Sequence, residues 1–158
     1  MDVLQVLAAK RNLARRVIQD LSENYQKLND DQRLEKSSTI LDEVNSYLQI
    51  EQNLFFPYIH KTGEHEDLIA RMLTVHEGIE EVSEHAIMMH VDEPRGEYYY
   101  QVVNLGGLLD LAKRNDEEIL FPWAEAYLTE DEQYYIASHM KNEMMQESLP
   151  APVYDYRL

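Results

Sequence analysis

Glu51-Gln52-Asn53-Leu54-Phe55-Phe56-Pro57 returns further along the chain as Asp116-Glu117-Glu118-Ile119-Leu120-Phe121-Pro122. Each copy runs acid, two polar residues, three large apolar residues and proline. A helical apolar period leads into each copy, and proline marks where such a helix ends or kinks. The phrase therefore sets a carboxylate about two turns before the close of each of two helices. It gains chemical meaning only if both acids face inward, which helical spacing decides.

Around the first copy the apolar seam is Ile40, Val44, Tyr47, Glu51, Leu54 and Tyr58, in steps of four and three. This spacing points Glu51 into the core, one turn beyond Tyr47. Ser37, Ser38 or Thr39 is expected to cap this helix, with Asp42 and Glu43 suiting its positive N-terminal end. Around the second copy, a helix from about Glu97 has Leu105, Leu109, Ala112, Asp116, Ile119 and Trp123 on its seam, so Asp116 is inward too.

Two further helices complete the set. Residues 2–28 place Leu4, Leu7, Ala14, Ile18, Leu21, Tyr25 and Leu28 on one seam, and the slot between Leu7 and Ala14 falls to Arg11. An arginine there either snorkels to water or stays inside as a charge. The remaining seam is Leu68, Met72, Val75, Ile79, Val82, Ala86 and Met89, with His76 and Glu80 beside it one turn apart. Asn29-Asp30-Asp31, the stretch His60 to His65, and Val91 to Gly96 read as breaks. Thr129 to Glu132 is a capping box opening a shorter fifth helix over about 130–145. Strand patterns are absent from the sequence. Gly106-Gly107 inside a helix implies close approach of a neighbour, within the fold or across a dimer, and Tyr98-Tyr99-Tyr100 suggests a subunit contact.

These seams predict an all-α chain, an up-down-up-down four-helix bundle with a short fifth C-terminal helix. The expected domain is 1–148, with its core over 2–128, and 149–158 forms an irregular C-terminal tail. At 158 residues the chain suits one domain. Thirty acidic residues against fourteen basic ones give a net charge of −16, which opposes binding to nucleic acid or anionic lipid. No stretch approaches the length of a membrane span and no signal peptide pattern opens the chain, so a cytoplasmic location is expected. The absence of cysteine excludes disulfides and thiolate chemistry. A homodimer is admitted by the tyrosine run and the glycine pair.

The two phrases, with the order and spacing of the helices carrying them, resemble the signature segments of hemerythrin-like (HHE cation-binding) domains. The resemblance spans about residues 2–128. It implies a four-helix bundle around a non-heme di-iron site, with roles in oxygen binding or sensing, iron handling and stress response. The family pattern places a histidine four residues before each signature acid, where this chain has Tyr47 and Ala112, and another in the first helix, where it has Arg11. Glu51, His76 and Asp116 match family ligand positions, and Glu80 falls where some members place a second ligand.

The resemblance thus implies a cation site that has lost several of its ligands. Neither arginine nor alanine offers a lone pair to a metal. One expectation is a metal-free regulatory or interaction module with no cofactor, in which Arg11 bridges Glu51 and Asp116 while Tyr47 donates to one of them. The alternative is an altered site in which Glu51, His76 and Asp116, with Glu80 or Tyr47, hold non-heme iron or another divalent cation for oxygen, iron or stress sensing. No catalytic constellation is present, so an enzyme is not expected.

Overall fold

The computed structural model describes residues 3–63, 65–88 and 96–147. Among them every regular element is helical, and the chain is all-α. Helix α1 spans Val3–Asn24 and passes through a single 3₁₀ turn, Tyr25–Lys27, to Leu28. Helix α2 spans Asp30–Ile50, and its cap is Asn29 rather than a residue at 37–39. The Asn29 side chain accepts from Gln32 N while Gln32 returns the bond to Asn29 N, which closes a capping box. Helix formation thus begins one turn after α1 ends, and the expected break shrinks to a corner.

Both copies of the phrase form the same local structure. Glu51–Phe55 and Asp116–Leu120 are π-helical turns, followed by α3 (Phe56–Thr62) and α6 (Phe121–Tyr127). The prolines explain this widening. A proline lacks the N–H for a bond to the carbonyl four residues back and clashes with it, and a wider turn relieves that contact. The helix therefore continues past Pro57 and Pro122 instead of ending. His60 consequently lies within α3, which stops at Gly63 in the left-handed conformation that favours glycine (φ 67°).

Helix α4 spans Glu66–Met88, α5 spans Gly96–Asn115 and α7 spans Glu130–Glu147. Thr129 and Glu132 form the expected capping box at the start of α7, at 3.0 and 3.1 Å. Helix α1 packs on α2 and α5, α4 packs on the same two, and α7 lies against α1 and the first π turn. The predicted interhelix stretch before Gly96 and the tail from 149 lie outside the described residues.

The wide turns shift the seam by one residue. Beyond Glu51 the fully buried positions are Phe55 and Ile59, whereas Tyr58 is only partly buried. Beyond Asp116 Leu120 takes the buried place expected for Ile119, and Ala124 joins Trp123 in the core. Of the tyrosine run, Tyr98 is core, packed on Tyr25 and hydrogen bonded to the Ser37 hydroxyl. Tyr99 and Tyr100 are exposed.

Candidate functional site

Five polar side chains predicted to lie inward or beside a seam meet in the apolar interior. Arg11, Tyr47, Glu51, His76 and Asp116 are each no more than 1% exposed. Glu80, the sixth candidate, lies on the exposed side of α4. His60 and His85 are exposed, and His139 lies against Tyr135, to whose carbonyl it donates at 2.9 Å. None of these three joins the cluster.

The first phrase serves His76. Glu51 Oε1 lies 2.7 Å from His76 Nε2, and Gln52 Nε2 lies 2.9 Å from His76 Nδ1. Phe56 stacks on the imidazole with centroids 5.5 Å apart and planes 16° apart. The tautomer follows from the donors: the Gln52 amide donates to Nδ1, so Nε2 carries the hydrogen and donates to Glu51. Burial drives the His76 pKa down to about 4, so the ring is neutral.

The second phrase serves Arg11 in the corresponding way. Arg11 Nη1 donates to Asp116 Oδ2 at 2.6 Å, and its Nη2 lies 4.0 Å from Glu117 Oε1. Phe121 presents its ring to the guanidinium at 6.0 Å. The first, second and sixth residues of each phrase thus surround one basic side chain from a neighbouring helix. Gln52, Phe56 and Phe121 were not identified as site residues from the sequence. The available signal was that they hold matched places in the repeat, but polar and aromatic residues at a helix end are too common to single out.

Tyr47 joins the two halves. Its hydroxyl donates to Asp116 Oδ2 at 2.6 Å, so that oxygen receives two donors. The expected bridge by Arg11 to both acids is not formed: α1 brings Arg11 to Asp116, while Glu51 on the α2 side faces His76 of α4. Glu51 Oε2 and Asp116 Oδ1 are buried without another hydrogen-bond partner. Burial pushes the Glu51 carboxyl up to about 7, and burial together with Glu51 pushes Asp116 well above the carboxylate range. A proton on one of these two carboxyls would leave a single negative charge opposite the Arg11 guanidinium, with His76 and Tyr47 neutral, a balance tolerable in an apolar interior.

Cation binding makes different demands. His76 would have to surrender a hydrogen bond from one ring nitrogen, and both carboxyls, whose pKa values burial raises, would have to be ionised. A metal at Asp116 would also stand close to the Arg11 guanidinium, a repulsion that low-dielectric surroundings intensify. A di-iron centre of the kind that the resemblance implies does not fit this donor set. Among the described residues no group of three or more His, Asp or Glu side chains is gathered in a metal-holding arrangement. No protein-family model, curated protein or solved structure matches this chain.

Proposed function

We propose that this chain is a hemerythrin-like, up-down-up-down four-helix bundle whose cation site has been replaced by an internal charge network. In this reading it serves as a metal-free regulatory or interaction module rather than an oxygen carrier or an enzyme. The observation that supports it is the 2.6 Å contact between Arg11 Nη1 and Asp116 Oδ2, both shut off from solvent. A fixed positive charge stands where a metal would otherwise neutralise the acids. The four long helices, two repeated phrases and inward acids support the family reading.

A second reading rests on a different observation. Glu51 Oε2 and Asp116 Oδ1 are two buried carboxyl oxygens without another partner, and His76 and Tyr47 lie beside them. With both carboxyls ionised, these oxygens would be able to take one hard cation. The bound ion would supply Lewis acidity, and Arg11 would hold Asp116 in place beside it.

Metal analysis of protein purified without chelator or histidine tag separates these readings, followed by anaerobic ferrous loading and exposure to air. The metal-free module retains no stoichiometric metal and develops no charge-transfer band. One tightly held metal per chain would establish the second reading. Two irons with an oxo-bridged spectrum would overturn both.

A further inference from the structure

Gly106 and Gly107 stand side by side in α5, and each weakens a helix relative to alanine. Among the described residues only the first is accounted for. A Cβ on Gly106 would lie 3.2 Å from Arg15 Nη1 and 3.3 Å from Ile18 Cγ2, so the glycine allows α1 and α5 to close together. A Cβ on Gly107 would meet nothing within 4 Å.

Gly107 lies on the outer face of α5, in the middle of Tyr100, Val103, Gly107, Leu111 and Arg114, all exposed. The three apolar side chains are 70%, 46% and 40% exposed in that order. The steps are three, four, four and three, so the stripe reads the same spacing from either end and occupies one helix face.

We propose that this face is a homodimer contact in which α5 crosses α5 of a second copy antiparallel, with Gly107 against Gly107. A two-fold contact requires residue i to meet j and j to meet i. The stripe meets that requirement: Val103 opposes Leu111 of the second copy on both sides of the crossing, and Tyr100 opposes Arg114. The outer pairs set a guanidinium on an aromatic ring. Glycine at the centre lets the two backbones approach closely.

Arg114 fixes the orientation. An antiparallel crossing about Gly107 sets each Arg114 against Tyr100 of the other copy, while a parallel one sets Arg114 against Arg114. One helix face makes a small interface, so the dimer is a concentration-dependent equilibrium.

Sedimentation velocity across a concentration series in about 0.15 M salt tests this, with surface charges screened beyond a Debye length. Wild type shifts from monomer towards dimer as concentration rises. Gly107→Arg weakens that association about tenfold or more by adding bulk and like charge at the crossing. It also raises the thermal midpoint of the monomer, because arginine favours helix and meets open space there. The chain has no cysteine, so Gly107→Cys reports the contact directly: oxidation traps a symmetric disulfide dimer, while Glu81→Cys on α4 stays monomeric. A wild type monomeric at every concentration, a Gly107→Arg chain dimerising as tightly as wild type, or equal cross-linking at both cysteines overturns the proposal.

Discussion

Arg11 Nη1 lies 2.6 Å from Asp116 Oδ2, joining α1 to the π turn after α5 with no access to water. Cutting one side of such a pair strands a charge in the interior. Arg11→Ala should lower stability by roughly 3–5 kcal/mol, whereas Arg16→Ala, at an exposed position on the same helix, should stay within about 0.5 kcal/mol of wild type. Adding Asp116→Asn to Arg11→Ala should recover part of the loss. Urea unfolding of the three variants checks this, and an Arg11→Ala chain as stable as wild type would refute it.

Two shifted groups give stability opposite slopes with pH. Glu51 titrates at about 7 in the fold against an ordinary 4.5, so the folded state holds its proton more tightly. That contribution is complete below 4.5 and is lost as pH rises through 7. His76 titrates at about 4 against 6.5, so its neutral form is favoured by folding and its contribution is lost as pH falls from 6.5 to 4. These two slopes cancel between 4.5 and 6.5, so Asp116, whose pKa burial also raises, should make urea midpoints fall across that span as pH rises. Glu51→Gln should flatten that fall.

The Tyr47 hydroxyl is the second donor to Asp116 Oδ2. Tyr47→Phe keeps the ring and removes the bond, which should reduce stability by about 1–3 kcal/mol. A double-mutant cycle with Asp116→Ala should show coupling between the two positions, because each single change already removes their shared hydrogen bond. Strict additivity would mean the hydroxyl is not bonded there.

Adjacent glycines in α5 should respond oppositely to alanine. Gly107→Ala should raise stability by roughly 0.5–1 kcal/mol, since the methyl enters open space and helix propensity improves. Gly106→Ala should gain nothing or lose, because its methyl presses on the buried Ile18. Thermal melts at a concentration low enough to keep the chain monomeric make the comparison.

Seam counting finds the all-helical class and the inward turn of Tyr47, Glu51 and Asp116, because a polar residue at an apolar position is visible in spacing alone; it puts Arg11 on the seam and leaves open whether its charge stays inside. It placed His76 only beside the seam, since a side chain's final depth depends on how neighbouring helices meet. Pairing was less legible still. Spacing states which face a residue occupies but not which neighbour it turns to, so Glu51 was matched with Arg11 when His76 is its partner. Beyond each acid the seam reading places Leu54 and Trp123 correctly but gives Tyr58 and Ile119 the places that Ile59 and Leu120 take, because a uniform helical count has no place for a π turn. The prolines behind those turns are plain in the sequence, but proline marks an end or a kink of a helix equally well.

Each π turn is a place where a helix stores a spare residue. Deleting exposed Asn53 in a Pro57→Ala chain, where no proline needs the wide turn, would let it close to ordinary pitch, with Glu51 before it and Ile59 after it still facing the core. Deleting exposed Gln49 from the straight run of α2 would instead swing everything beyond it by about 100°, carrying Glu51 away from His76. The chain should therefore tolerate a change of length at two defined points and resist it elsewhere in the same helices, a distinction that far-ultraviolet melts of the two deletions would reveal.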